Sequence, residues 1–309
     1  MTRAPALRRG VLAVAAAAGL AGCAAAAPQG PAEGFTAGAS QQAWLEACEG
    51  SRDWDGPGPP FRIHGDSYWV GTCGIAAILV AGEEGHVLID SGTVAGGQVV
   101  ARNIEALGYA LEDVEILLHT QEHFDHVAGI GELQRRTGAR LLASVTAAAV
   151  FETGETHPQD PQAGLHEPFP TARVDGLVTE GQAVRLGDRT LVPIATPGHS
   201  AGALSWQWSE CADGRCLTLL YSDGLGPISA DDYRFSEHPA YLDAFRASIH
   251  KVRDARCDIF LTPHPAASAI PERIESGTRL IDPRECARFA GDIEAMLERR
   301  LAREAESAN

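Results

Sequence analysis

Apolar runs of strand length alternate with stretches of helical period along most of the chain, and histidine-rich polar clusters stand where apolar runs end. After a short helix at 41–49 and a Gly/Pro loop at 53–60, strands are predicted at 61–63, 67–70, 75–81 and 86–90. Helical spacing follows over 94–107, with Gly108 as its stop. Val114-Glu115-Ile116-Leu117-Leu118 predicts a buried strand, and the helix after it runs to about Arg136, where Gly138 ends it. A strand at 140–143 and a helix at 145–151 follow. Strands resume at 172–174, 183–186, 190–195, 203–208 and 217–222, and helices at 239–253 and 283–305 flank a last apolar run at 257–261. Strand runs and crossing helices recur in each half. That predicts an α/β chain folded as an αββα sandwich, two mixed β-sheets packed face to face with helices outside. Residues 41–309 read as one domain, with no linker or short-period repeat inside it. The stretch 152–171 has four prolines and no clear period. Loops this long inside a domain are usually functional or disordered, and its position makes it a candidate wall over a site. His157 and His166 within it read as solvent-exposed residues rather than ligands.

Gln121-Glu122-His123-Phe124-Asp125-His126 occupies the turn between the strand at 114–118 and the helix after it. In open α/β sheets that edge is where ligands bind. His123 and His126 offer imidazole nitrogens, Asp125 a carboxylate and Gln121 an amide oxygen, donors of the kind that hold zinc. Two distant histidines stand in the same kind of place. His199, in Thr196-Pro197-Gly198-His199-Ser200, follows the apolar run 191–195. His264, in Thr262-Pro263-His264-Pro265, follows 257–261. Any one of these histidines alone reads most simply as a core or surface residue. Three strand ends delivering such donors to one sheet edge read as a binuclear metal site.

On these residues the chain resembles the metallo-β-lactamase superfamily, whose signature is His-x-His-x-Asp-His followed by two later histidines. Within it the chain is most similar to subclass B3 β-lactamases. Ile63-His64-Gly65-Asp66-Ser67-Tyr68-Trp69-Val70-Gly71-Thr72-Cys73-Gly74-Ile75 is similar to that subclass's opening hairpin, and Val87-Leu88-Ile89-Asp90-Ser91-Gly92-Thr93 to the superfamily's first motif. Thr262-Pro263-His264-Pro265 matches the last motif. The resemblance implies two zinc ions, one held by Gln121, His123 and His199 and the other by Asp125, His126 and His264. It implies hydrolysis of the β-lactam amide of penicillins, cephalosporins or carbapenems by metal-bound hydroxide, with Asp125 and His264 acting through that hydroxide, and hence antibiotic resistance. No nucleophilic serine is needed, and no Gly-x-Ser-x-Gly elbow is present. Asp90 is implied as a carboxylate bracing the metal-bearing loop from outside the ligand set; capping the turn at its own strand end is the equally simple reading.

The chain departs from the family pattern at two places. Gln121 stands where the superfamily usually has His, and a neutral amide oxygen is a poorer zinc donor than imidazole, so the first site is expected to be the weaker. In Tyr221-Ser222-Asp223-Gly224-Leu225-Gly226, many B3-like enzymes carry serine where this chain has Gly224, and often again where it has Gly226, so substrate contact there is a candidate role rather than an assured one. Asp223 resembles a metal-bridging Asp of other superfamily hydrolases, but reads here as a structural turn residue. Two other functions stay open. One is a superfamily hydrolase of a thioester, lactone or other ester; the full histidine motif that it generally wants is missing at Gln121. The other is a metal-binding or scaffold protein without catalysis, supported only by Gln121 and the two glycines.

The ends of the chain and its charge add location. Arg3, Arg8 and Arg9 precede an apolar run, 11–21, too short to span a bilayer, and together they read as a secretory signal over 1–22. Leu20-Ala21-Gly22-Cys23 looks like a lipobox, so lipidation of Cys23 is expected, with ordinary cleavage among Ala24 to Ala27 as the alternative. Arg8-Arg9 also resembles a twin-arginine signal. Residues 23–40, rich in Ala, Pro and Gly, read as a flexible tether. The expected place is the periplasm, anchored to the outer membrane as a lipoprotein, since Ala24 rather than an acidic residue follows Cys23. A net charge of −16 argues against nucleic acid, because no basic patch releases counterions; the expected partner is a small-molecule β-lactam, bound by a monomer. Seven cysteines fit an exported protein, and with Cys23 lipidated an even six remain, whose pairing spacing alone does not fix. Cys211-Ala212-Asp213-Gly214-Arg215-Cys216 reads as a hairpin turn closed by its own bridge, and Cys48 with Cys73 would tie the N-terminal segment to the first hairpin. The family resemblance pairs Cys257 with Cys286.

Overall fold

Over 78–82, 85–89 and 114–118 both faces are mostly apolar, which is the pattern of a sheet covered on both sides. The computed structural model of the 309-residue chain describes residues 1–2, 37–278 and 280–307. Its first sheet orders seven strands as they occur: β1 (Phe61–His64), β2 (Ser67–Trp69), β3 (Ile78–Gly82), β4 (Gly85–Ile89), β5 (Val114–Leu118), β6 (Arg140–Ala143) and β7 (Val174–Leu177). Pairing is antiparallel from β1 to β4 and parallel from β4 to β7. The second sheet contains β8 (Val184–Leu186), β9 (Arg189–Ala195), β10 (Leu204–Ala212), β11 (Arg215–Tyr221) and β12 (Ile259–Leu261), in the order β12-β11-β10-β9-β8. Only β11 and β12 pair in parallel there. The helices are α1 (Ala37–Ala47), α2 (Val94–Ala106), α3 (Phe124–Val127), α4 (Ile130–Thr137), α5 (Val145–Thr153), α6 (Pro239–Asp254), α7 (Ile270–Glu275) and α8 (Glu285–Ser307).

Period-two alternation sorts the side chains into layers. Ile78, Val80, Val87, Ile89, Ile116 and Leu118 meet Leu191, Trp206, Leu219, Tyr221 and Leu261 between the sheets. The intervening Leu79, Leu88 and Leu117 turn the other way, onto Val100 and Ile104 of α2 and Leu133 of α4. Behind the second sheet, Leu220 and Phe260 pack on Phe245 and Ile249 of α6 and Phe289 and Ile293 of α8. Each such buried side chain contributes roughly 1.5–3 kcal/mol of transfer free energy. The architecture is thus the two-sheet sandwich that the periodicity predicts, with mixed sheets and helices on both outer faces.

Several boundaries differ from the sequence expectation. The strand predicted at 75–81 begins at Ile78, because Ile75 N is held by Thr72 Oγ1 and Ala76 N donates to Pro263 O at 2.7 Å. The helix predicted from about Val127 to Arg136 is interrupted at Gly129, between α3 and α4, where the backbone of α2 comes close; a Cβ there would lie 2.9 Å from Gly97 Cα. The strand predicted at 172–174 runs instead over Val174–Leu177, fixed by Asp175, whose carboxylate accepts from Leu141 N at 3.0 Å. Helix α1 begins at Ala37, inside the stretch read as tether, since alanine is the best of helix formers. The signal over 1–22, Cys23 and most of the tether lie outside the described residues. Among the described residues no helix is long and apolar enough to cross a membrane.

Three disulfides are present. Cys211–Cys216 joins directly paired positions of the β10–β11 hairpin, Cys48–Cys73 ties α1 to the loop after β2, and Cys257–Cys286 ties the approach to β12 to α8. The sheets are also joined through polar groups. Glu210 of β10 accepts from Ser67 Oγ of β2 at 3.1 Å and from Arg189 Nη1 of β9 at 3.1 and 3.2 Å. Burial pushes its carboxyl up to about 7, against the pull of Arg189. A raised value in the folded state means that this group's contribution is fully present below the unfolded value of 4.5 and is lost as pH rises through about 7. Denaturant unfolding at pH 5 and pH 8 checks it: relative to Glu210→Gln, the unmodified chain should lose on the order of 2–3 kcal/mol between the two. A difference that does not change with pH would contradict this.

Candidate metal centre

Five strand ends deliver the site. β4 leads to Asp90, β5 to the stretch 119–126, β9 to 196–200, β11 to 222–226 and β12 to 262–264. The stretch after β5 is held from both sheets. Asp90, at φ 64, accepts from Thr120 N, Thr120 Oγ1 and Tyr221 Oη, each at 2.7 Å. Leu204 N donates to Thr120 O at 2.7 Å and Trp206 Nε1 to His119 O at 2.8 Å. On the far side Ser91 N and Gly92 N both donate to His126 O. Burial lifts the Asp90 carboxyl to about 6, while His126 and the three donors pull it back.

Two groups of side chains face each other in this frame. In the first, single ligand atoms of Asp125, His126 and His264 lie within 4.8 Å of one another. Asp125 Oδ2 is 3.0 Å from His126 Nε2 and 3.4 Å from His264 Nε2. Burial would raise the Asp125 carboxyl, yet His126 and His264 outweigh it and hold it well below the usual carboxylate range. In the second, the His123 and His199 rings stand 5.0 Å apart. His123 Nε2 meets Asp160 Oδ1 at 3.1 Å, and His199 Nδ1 meets Gly226 O at 2.8 Å. Gln121, two residues before His123, is buried, and neither of its amide atoms has a hydrogen-bond partner; nor has Nδ1 of His126, whose Nε2 faces the Asp125 carboxylate. Burying such groups unpaired is costly. A carboxylate and two imidazoles converging in a buried corner, with orphaned donor atoms, form a set that fits a zinc-type ion.

The long loop reaches this site through residues that sequence reasoning did not single out. Asp160 and Gln162 are buried, and Gln162 Nε2 lies 3.4 Å from His123 Nδ1 and 3.3 Å from His199 Nε2. His157 and His166 are half-buried rather than fully exposed, and neither joins the cluster: His157 Nδ1 accepts from Gln159 N, and His166 packs on Phe124. Glu122 was also passed over. It is buried, and its two oxygens accept from Ser200 Oγ and Gly202 N, both at 2.6 Å, which clamps the turn that carries His199. Nothing in the local sequence marks Asp160, Gln162 or Glu122, because each acts across 37 to 80 positions of chain.

The glycines at 224 and 226 differ from each other. A Cβ on Gly224 would meet nothing within 4 Å, whereas Gly226 holds His199 through its carbonyl. Asp223, read as a turn residue, is fully buried with both carboxylate oxygens lacking a partner, and burial raises its carboxyl well above the ordinary range. Trp54, 38% exposed, stands beside Phe124 and His264, with ring centroids 5.7 and 6.0 Å away.

Residues 70–211 match the model of the metallo-β-lactamase superfamily. Among solved structures, the MIM-2 metallo-β-lactamase is 50% identical, with 86% of this chain and 98% of that one covered and a TM-score of 0.82. MIM-1 from Novosphingobium pentaromativorans is 40% identical, over 87% of this chain and 100% of that one, with a TM-score of 0.84. MEM-A1, a subclass B3 metallo-β-lactamase from a soil metagenome library, is 36% identical over 82% and 100%, with a TM-score of 0.80. With fold, site and these likenesses together, the chain belongs to the metallo-β-lactamase superfamily, and its structural neighbours are metallo-β-lactamases that include subclass B3. Curated relatives are more distant. A hydroxyacylglutathione hydrolase of Bradyrhizobium sp. (strain ORS 278) is 26% identical over 63% of this chain and 73% of its own length. Another, of Methylobacterium sp. (strain 4-46), is 36% identical over 42% of each.

The clamp at Glu122 can be tested by stability alone. Glu122→Ala leaves Ser200 Oγ and Gly202 N without their acceptor and should lower the unfolding free energy by roughly 2–4 kcal/mol in denaturant titration. A loss below about 0.5 kcal/mol, the range of ordinary surface changes, would show that the clamp carries no weight.

Proposed function

We propose that this chain hydrolyses the β-lactam amide of penicillins, cephalosporins or carbapenems in a zinc-dependent way and thereby confers antibiotic resistance. The observation that carries the reading is the convergence of Asp125, His126 and His264 in a chain half of whose aligned residues are those of a metallo-β-lactamase. Asp125, His126 and His264 would hold one ion, and Gln121, His123 and His199 a second, more weakly, because an amide oxygen replaces an imidazole at Gln121. Zinc supplies Lewis acidity and brings the ionisation of water to about pH 7.

The chain's own groups orient and shield. Asp160 would accept a hydrogen bond from Nε2–H of His123 and Gly226 O one from Nδ1–H of His199, which turns the lone pairs of His123 Nδ1 and His199 Nε2 toward the ion. Asp90, through Thr120, fixes the backbone from which Gln121 and His123 project. That supports the bracing role for Asp90 and makes the role a property of both sheets. Open space at Gly224 leaves room for a substrate where many relatives place a serine, and Gly226 lines the same edge. Trp54 provides an apolar wall beside His264. We further propose a monomeric protein of one domain, exported to the periplasm and anchored at the outer membrane by lipid on Cys23.

A second reading, hydrolysis of a glutathione thioester, is favoured by the names of the curated relatives. One assay separates the two. A penicillin, a cephalosporin, a carbapenem and a glutathione thioester are each incubated with the purified protein, with and without chelator. Hydrolysis of at least one β-lactam that chelator abolishes and zinc restores is expected; chelator-sensitive loss of the thioester alone would overturn the proposal. In zinc titration the unmodified chain should bind two ions with unequal affinity, and Gln121→His should tighten the weaker. Two equally tight ions in the unmodified chain would contradict the role given to Gln121.

A further inference from the structure

We propose that Gln162 is a built-in competitor for the metal position formed by Gln121, His123 and His199, so that an ion enters there only by displacing its side-chain amide. This rests on the assignment of those three residues made above. Two imidazole nitrogens point at one atom: Gln162 Nε2 is 3.4 Å from His123 Nδ1 and 3.3 Å from His199 Nε2. The other nitrogen of each ring determines what these two atoms offer. His199 Nδ1 faces the Gly226 carbonyl at 2.8 Å, which only accepts, so in the neutral ring Nδ1 carries the proton and Nε2 the lone pair. His123 Nε2 faces the Asp160 carboxylate at 3.1 Å, so in the neutral ring Nδ1 carries the lone pair. Two lone pairs converging on one point are what a metal ion would use. Here they converge on an amide nitrogen, which carries two hydrogens, one for each ring when both are neutral.

The amide is delivered to that point by its backbone. Gln162 N donates to Asp160 Oδ1 at 2.8 Å, the same oxygen that meets His123. Asp160 N donates to His157 O at 2.9 Å, and Pro161 O accepts from Ala230 N at 2.8 Å. Asp160 and Gln162 are 1% and 6% exposed, so the loop is seated rather than resting on the surface. Meanwhile Gln121, the third side chain of this position, has neither amide atom engaged. The corner therefore holds two carboxamides with different states: one bonded to both imidazoles and one with no partner. A zinc ion needs its nitrogen ligands at about 2.0–2.1 Å, a position that both rings cannot offer while they accept from Gln162. Asp125, His126 and His264 have no such competitor among the hydrogen bonds of the described residues. Occupancy of the two positions is thereby set apart by two glutamines, Gln121 as a poor donor and Gln162 as an occupant.

The test is metal affinity, read without substrate. The full chain is stripped with chelator and titrated with zinc against a chromophoric competitor, and with cobalt while its visible absorption is followed. In Gln162→Ala the weaker ion should bind roughly 10- to 100-fold tighter, the effect of two hydrogen bonds no longer broken on entry. The tighter ion should be unchanged, which also reports that the fold is intact. Gln162→Asn, one methylene too short to reach both rings, should move the same way. Unchanged affinity for the weaker ion in both variants would overturn the proposal, and weaker binding would overturn it too, by making Gln162 a ligand. A second ion that is taken up by Gln121→His but is indifferent to Gln162→Ala removes only the role of Gln162. A single ion in every variant, Gln121→His included, removes the metal position itself and the proposal with it.

Discussion

One buried carboxylate joins the parts on which the site depends. Asp90 ends β4, takes two hydrogen bonds from Thr120 after β5, and takes a third from Tyr221 at the end of β11 in the other sheet. Hydrogen bonds to a charged group contribute about 1.5–3 kcal/mol each, but burial of the charge opposes them, and a carboxyl lifted to about 6 shows that burial keeps the upper hand. The brace is therefore held by the surrounding fold rather than being a source of stability. What it gains is position. The loop that carries Gln121, His123, Asp125 and His126 cannot shift without breaking contacts to both sheets.

From this constraint the division of labour follows. Sheet order places the C-terminal ends of β4, β5, β9, β11 and β12 toward one site, and the donors sit in the turns after these ends or, for Asp125 and His126, in the one-turn helix α3. The turns are then tied to one another by side chains: Glu122 to the turn of His199, Gly226 to the ring of His199, Asp160 to the ring of His123. The remaining polar atoms of Gln121 and Asp223 and Nδ1 of His126 are buried without hydrogen-bond partners. Such atoms are few in folded proteins and ask for an explanation. A divalent ion at Asp125, His126 and His264 would take up the Nε2 of His126 that faces the Asp125 carboxylate, and a second ion at the neighbouring corner would answer for Gln121.

The sheets were legible because their strands are short, largely apolar runs, and the candidate donors because they directly follow such runs. The disulfide Cys211–Cys216 was legible as a hairpin, since Asp213 and Gly214 suit a tight turn at positive φ. What the sequence hid depended on tertiary contact. The break at Gly129 arises from the approach of Gly97, a residue of another helix. Asp160 and Gln162 lie in a proline-rich stretch without period, where no local rule tells a buried polar side chain from an exposed one. Glu122 hides inside the motif itself, read as a spacer between two donors. Asp223 was read as a turn residue by its neighbours, and only its full burial sets it apart.

The central claim is that Asp125, His126 and His264 form a metal position where the segment after β5 meets the turn after β12. Anomalous diffraction at the zinc edge, from crystals of the purified protein grown with zinc, tests it most directly. The account predicts a strong peak bonded to the Asp125 carboxylate and to Nε2 of His126 and His264, with a weaker peak beside His123 and His199. A peak only elsewhere on the surface, or none at that position in zinc-saturated crystals, would contradict it.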